Sequence, residues 1–472
     1  MKRLLAIVSV AVIAGCATIE RAREAQTAVS PRADGQVSPV AKVDFRGSSL
    51  SALVGFAMTN RPSVASARLA VEDARLALKE IQADAPLLSD TPWSAATLGL
   101  RGDYSESSRG TTWGERDWRT AGGPTAGLSL EVLVCDFGRN AARGAAAAEN
   151  VIAAEQALIE AGDAVFLEVA KGYFDYREAR SLFEVALTNE AQYADHLARA
   201  EAQLRAGEAY RLDVLRARLD LAQARQRSVA ASNTVATVGA ELMRALGVEA
   251  ARGTAEEAFG NAPIGIDTVY RGFPRTYGAL EESFAFARTN APAVAIARAR
   301  LRSASHSVDA AVADLYPQIT ASANLSWTDP LWLWNWGVGA FESLFEGFGR
   351  TTRIDRARVA MESAAAAVDE AEQQLSVRLE TAIANRDDSL AAIASAMASV
   401  RSAKENLDTV QEQLSVGSVS RVELSEAIAF DSNARGDLIS AFYSAQRAEA
   451  ALYAVMGLYP VYQEEVVKGD FK

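Results

Sequence analysis

Two stretches about 230 residues apart carry nearly the same text. Thr59-Asn60-Arg61-Pro62-Ser63-Val64-Ala65, then Ala67-Arg68, returns as Thr289-Asn290-Ala291-Pro292-Ala293-Val294-Ala295, then Ala297-Arg298. Phe137-Gly138-Arg139 returns as Phe348-Gly349-Arg350, Ala206-Gly207 as Val416-Gly417, and Leu246-Gly247 as Met456-Gly457, with the offset falling only from 211 to 210. A period of roughly 200 residues is too long for a solenoid. It requires two copies of one large supersecondary unit, and a function that arises from the pair.

Each copy has the same plan. The first shows a helical pattern over Ser51–Ala83, strand character to about Asp136, a long helical pattern over Asn140–Ala206, a break at Gly207 and a helical pattern over Tyr210–Leu246. The second matches it with Tyr277–Leu315, Gln318–Glu346, Thr351–Val416 and Ser420–Met456. Gly247 and Gly457 stand where a helix C-terminal glycine is expected. Arg350 to Val416 holds neither proline nor glycine; as a helix at about 1.5 Å per residue it would extend roughly 100 Å. Such a helix needs neighbours along its whole length. Ala357, Ala360, Ala364, Ala367 and Ala371 suit close lateral packing among several helices better than a two-stranded coiled coil, which favours Leu and Ile.

The non-helical segments alternate. Ile319, Ala321, Ala323, Leu325 and Trp327 interleave with Thr320, Ser322, Asn324 and Ser326, and Trp334, Trp336, Val338 and Ala340 with Asn335, Gly337 and Gly339. In the first copy Leu128, Leu130, Val132 and Val134 take every second place, with Thr97–Tyr104 as their hairpin partner. Runs of about ten alternating residues with aromatics near their ends are the mark of a transmembrane β-strand; a soluble sheet covering a hydrophobic core is the competing reading. Two hairpins supply four strands, whereas single-chain outer-membrane barrels start at about eight. Open edges in lipid would leave unpaired backbone groups costing several kcal/mol each. The expectation is a barrel shared among copies related by cyclic symmetry, with three copies supplying twelve strands.

The first residues set the compartment. Lys2-Arg3 precedes an apolar run, Leu4–Ala14, too short to anchor in a bilayer, and Ile13-Ala14-Gly15-Cys16 resembles the lipobox of bacterial lipoproteins. That resemblance implies a diacylglycerol and an N-acyl lipid on Cys16, and no other cofactor. Ala17 follows, not the aspartate that often marks inner-membrane retention, so the expected location is the outer membrane. The chain then divides into a lipoprotein signal peptide (1–15), a linker (16–47), a first repeat (48–247), a connector (248–276), a second repeat (277–457) and a tail (458–472). A net charge of -12 argues against nucleic acid. Two cysteines and two histidines provide neither a disulfide framework nor a metal centre, and no nucleophile motif or phosphate loop suggests an enzyme. Cys135 reads as a small hydrophobe; His196 and His306 have no evident partner.

Taken in order and twice over, the Asn-x-Pro segments, the Phe-Gly-Arg segments leading into long helices and the glycine turns resemble the TolC-like outer-membrane factors over residues 48 to 458. The turns are Leu204-Arg205-Ala206-Gly207 with Asp213-Val214-Leu215, and Leu414-Ser415-Val416-Gly417 with Glu423-Leu424. The resemblance implies a mainly α fold with a transmembrane β part: long helical hairpins forming a periplasmic tunnel, and four strands per chain in a homotrimeric twelve-stranded barrel. It implies a passive channel for efflux, or for type I protein secretion, working with a periplasmic adaptor (membrane fusion) protein and an inner-membrane RND or ABC transporter. A periplasmic coiled-coil lipoprotein tether is the reading from another class. By the same resemblance, Ala206, Gly207, Glu208, Val416, Gly417 and Ser418 form adaptor-contact tips. Glu423 and Glu426, three apart on one helix face, align with the constricted entrance, and three copies would ring it with carboxylates that favour cations. Ser420-x-x-Glu423 equally fits a capping box; Asp213, the first-copy counterpart of Glu423, is placed with them at the pore constriction and also fits a helix-start acid that contacts a neighbour. Leu414 and Val419 stand where some members carry aromatic and arginine residues that tie the entrance closed, so Arg211 or Arg421 is expected in that role. The second hairpin segment is about twenty residues shorter than the first, with an external loop as the expected place.

Overall fold

Proline decides where the helices break. In the computed structural model, which describes residues 45, 49–84, 96–109, 119–207, 210–248, 258–259, 280–328, 331–342, 347–415 and 418–457, each opening helical pattern is two helices and not one. Helix α1 (Leu50–Asn60) gives way to α2 (Pro62–Ala83) at Arg61, whose backbone is extended. In the second copy α5 (Leu280–Asn290) gives way to α6 (Pro292–Ala313) at Ala291. Proline has no N–H to donate and disfavours helical backbone in the residue before it, so it starts a helix and cannot continue one.

Strands β1 (Ala96–Arg109) and β2 (Arg119–Cys135) follow in the first copy, β3 (Gln318–Thr328) and β4 (Leu331–Phe341) in the second. They form one antiparallel sheet in the order β1-β2-β3-β4, so the two copies pair directly through β2 and β3. The second hairpin is shorter in its strands as well as in its connection: 11 and 11 residues against 14 and 17.

Each sheet-to-helix junction is a tight turn. Phe137 and Phe348 both adopt positive φ, 54° and 65°, a conformation costly for a side chain of that size. Asp136 holds the first turn, its Oδ1 accepting from the Gly138 N–H (3.2 Å) and its Oδ2 from that of Asn140 (2.6 Å). From there the long helices α3 (Arg139–Ala206, 68 residues) and α7 (Gly349–Ser415, 67 residues) depart, each about 100 Å long at 1.5 Å per residue. Helices α4 (Arg211–Ala245) and α8 (Arg421–Val455) return along them.

The helices pack side by side. Helix α3 has α2 and α4 on one flank and α6 and α8 on the other, and α6 and α8 also pack against α7. Every element lies within Arg46–Lys472, a unit distinct from Met1–Phe45. The repeated motifs meet at the joints: Gly457, ending α8, abuts Asn290 and Pro292, and Gly247, ending α4, abuts Asn60 and Arg61. Each short pair thus forms a composite column beside an unbroken helix. A Cβ on Gly457 would stand 2.8 Å from the Asn290 carbonyl oxygen, at φ +66°. Gly457→Val is expected to cost at least about 2 kcal/mol, read as a lower thermal midpoint by circular dichroism. At Gly207, with φ +80° and open space around it, alanine should cost about 1 kcal/mol.

The flanks of this layer are unequal. Phe166, Val169 and Phe174 of α3 are fully buried, as are Leu242, Leu379 and Met456. The alanine seam of α7 is not: Ala360 and Ala367 are exposed and Ala357, Ala364 and Ala371 half-buried. Val359, Val377, Leu390 and Met397 of α7 are exposed, and so are Leu69 and Leu76 of α2 and Leu212, Leu215 and Leu219 of α4. A chain with apolar side chains on both outer flanks of a one-layer helical wall calls for neighbours on both sides.

Candidate functional site

The sheet has two chemically distinct faces. Residues directly opposite in an antiparallel register share a face. Leu128, Leu325 and Trp334 therefore form one row, Leu130, Ala323 and Trp336 the next, and Val132, Ala321 and Val338 a third. The intervening rows read Ser129-Asn324-Asn335 and Glu131-Ser322-Gly337. Through these rows one face is aliphatic and indole and the other hydroxyl, amide, carboxylate and glycine, with Leu133 and Leu333 the apolar exceptions near the ends of the second. Among the described residues no helix lies over either face, and Trp334 and Trp336 remain 73% exposed.

The dimensions match a bilayer. Strand β4 has 11 residues; at about 3.3 Å each and tilted near 45°, it rises roughly 25 Å, the height of the apolar band of an outer-membrane barrel. Trp327, Trp332 and Trp334 sit toward the hairpin end. Phe137, Tyr316, Phe341 and Phe348 sit at the helix end, with Phe137 stacked on Tyr316 at 5.5 Å. Two aromatic girdles flank one apolar band. Among the described residues no helix is long and apolar enough to cross a membrane.

At the other end, Gly207 at φ 80° closes α3 by donating its N–H toward the Gln203 and Leu204 carbonyls. Ala206, Gly207 and Ser418 are exposed, and Ser418 is fastened to the Gln413 carbonyl through both its N–H and its hydroxyl (3.0 Å each). Cys16, Glu208, Val416 and Gly417 lie outside the described residues.

The acids near the tips divide. Asp213 caps α4, its Oδ2 accepting from the Tyr210 N–H at 3.1 Å. Ser420 caps α8: its Oγ accepts from the Glu423 N–H at 3.4 Å and donates to the Glu423 carboxylate at 3.1 Å. Glu423 is thus tied to its own helix start, although exposed. Glu426 opens onto a cleft of about 390 Å³ between α4 and α8 that Asp213 also lines, together with His196, Asp220 and Arg421. The structure brings Asp213 and Glu426 to one cleft; Glu423 is not among its lining residues.

His196, for which the sequence offers no evident partner, has its surroundings here. It projects from α3 into this cleft, where burial first, then Arg421, depress its pKa, against the opposing pull of Asp220. Around it α3, α4 and α8 are cross-tied: Arg421 donates to the Gln203 amide oxygen, Ser425 to Asp220 at 2.9 Å and the Tyr193 hydroxyl to the Ser425 carbonyl at 3.2 Å. Beneath lies an apolar cluster including Tyr193, Leu221, Leu407, Leu424 and Ile428. Its signal was the i+3/i+4 spacing of Tyr193, His196 and Ala200, which places His196 on the buried edge of α3.

Residues 53–248 and 286–458 match the family model described as outer membrane efflux protein. Among solved structures, CusC is similar at 20% identity, covering 88% of this chain and 92% of that one with a TM-score of 0.75. The outer membrane protein VceC of Vibrio cholerae shares 17% identity over 86% and 96%, with a TM-score of 0.72. The CmeC outer membrane channel of Campylobacter jejuni shares 14% over 89% and 88%, with a TM-score of 0.73. Comparison with curated proteins returned no match.

Proposed function

The chain belongs to the outer membrane efflux protein family, and from that premise we propose that three copies form one passive channel joining a periplasmic adaptor and an inner-membrane RND or ABC pump to the exterior. The observation that carries this reading is the four-stranded sheet, apolar on one face and polar on the other, open at both edges and uncovered by helices. With an even strand number, β4 of one copy meets β1 of the next antiparallel, so head-to-tail closure satisfies every edge. Two copies would supply about eight strands, a barrel whose interior side chains fill. Three is the smallest number that leaves a lumen. The same rotation brings the exposed flank of α7 against the exposed α2/α4 column of its neighbour.

Heat-modifiable trimers in detergent and discrete conductance steps in planar bilayers are the expected results; a monomer without conductance would sink the channel. The tips at Ala206–Gly207 and Ser418 support adaptor docking, tested by co-purification of adaptor and pump. Lipidation at Cys16 would fix the chain to the outer membrane. Cys16→Ser is expected to lose incorporation of labelled palmitate, and a water-soluble monomer from this variant would favour the tether. Glu426, free of capping, is the better candidate for a carboxylate ring. Glu426→Gln with Glu423→Gln should lower cation preference severalfold, measured as reversal potential in a salt gradient; unchanged selectivity removes the ring.

A further inference from the structure

The two copies differ in chemistry where their composite columns are jointed. In the first copy Glu168 of α3 accepts from Arg61 at 2.5 Å and pairs with Arg244 at 2.9 Å. Arg61 also donates to the Ala245 carbonyl at 3.0 Å, closing the end of α4. The offset of 210, which matches buried Val165 with Leu375 and Val169 with Leu379, sets Arg378 in the place of Glu168 and Ala454 in that of Arg244. The Asn-x-Pro motif sets Ala291 in the place of Arg61. Both arginines are gone and the acid has become a base.

A cavity of about 310 Å³ stands there, lined by Ala291, Arg378 and Ala454, with α3 contributing Glu160 and Asp163 as its other wall. Asp163 is only 6% exposed, and its Oδ1 has no hydrogen-bond partner. Burial first, then Glu160, raise its pKa to about 7. Arg378 lines the cavity from α7, whereas Glu160 and Asp163 line it from α3. A buried acceptor left unmatched costs its full desolvation, and a donor arriving from solution recovers it.

We propose that this cavity binds a small zwitterion, its primary ammonium received by Asp163 and Glu160 and its carboxylate by Arg378. An ammonium brings three donors to two carboxyl groups; a carboxylate accepts the guanidinium fork. The volume lies at the low end of ligand pockets, about 300–1,000 Å³, and suits a molecule of amino-acid size. The bound molecule links α3 to α7, the two unbroken helices of the wall.

The test is isothermal titration of the full-length protein in detergent at neutral pH with ω-amino acids from glycine to 6-aminohexanoate, alongside n-butylamine and butyrate. One chain length should bind saturably, one per chain, at least about tenfold tighter than either single-charge compound. Asp163→Asn and Arg378→Gln should each weaken it about tenfold or more. Ala454→Arg, which restores the first-copy arginine and fills the space, should abolish binding. No binding by any compound, or affinity unchanged in Asp163→Asn, overturns the site. Butylamine bound as tightly as the best zwitterion overturns the place given to Arg378. Channel conductance is read separately, so this site and the channel can fail independently.

Discussion

Ala323→Arg is expected to abolish assembly of the barrel, whereas Ser322→Arg, one residue away, should insert normally. Ala323 lies between Leu130 and Trp336 in the middle row of the apolar face, and Ser322 between Glu131 and Gly337 on the polar face. An arginine on the lipid side at the midplane costs about 2–4 kcal/mol. A three-chain barrel repeats that cost three times, about 6–12 kcal/mol in all, comparable to the whole stability of a domain. Heat-modifiable trimer in the outer-membrane fraction is the readout. Ser322→Arg should leave trimer yield unchanged and shift selectivity toward anions in planar bilayers. Equal tolerance of the two substitutions would mean that neither face meets lipid.

Asp163→Asn should stabilise the protein at neutral pH, by about 4 kcal/mol for a carboxyl raised from 3.8 to about 7. The raised pKa means that the folded state binds the Asp163 proton more tightly than the unfolded state does. Between about pH 4 and 7 the native protein therefore holds more protons, and stability falls as pH rises, levelling off above about 7. The variant removes that slope. Asp175 and Glu449 are also raised, in both cases mainly by burial, so the informative quantity is the difference between wild type and variant. Thermal midpoints from pH 4.5 to 8, measured without added amino acid, should converge at the acid end and separate toward neutrality. Parallel curves would show that Asp163 is solvated in the folded protein.

The parts legible in the sequence are those governed by local periodicity. Alternation through Ile319–Trp327 and Trp334–Ala340 marked β3 and β4, and the absence of proline and glycine after Arg350 marked α7. What the pattern left hidden is what meets across long separations. Nothing around Gly457 says that it closes on Asn290, and nothing around Arg61 says that it clasps Glu168, 107 positions away. The apolar spacing of the opening helical runs persists across Pro62 and Pro292, although the helical backbone breaks there. The alanines of α7 announce close packing without naming the partner: α6 and α8 cover part of that helix, and Ala360 and Ala367 stay exposed in the single chain. At the tips the acids were legible but their duties were not: Ser420 engages Glu423 locally, while Glu426 faces a cleft whose buried edge includes His196.

The unequal hairpins also shape the mouth. Strand β3 ends at Thr328, opposite Thr125 of β2, yet β2 remains paired with β1 from Pro124 out to Arg119. At about 3.4 Å per residue, that two-stranded ribbon stands roughly 20 Å beyond the last row shared by all four strands. In a three-chain barrel the rim becomes a battlement, three projecting ribbons separated by three low walls. Below the rim that proposed barrel would approach sixfold symmetry, and at its lip it would be threefold. In the assembly proposed above, the ribbon of the first repeat would be the part that a large particle outside the cell met first.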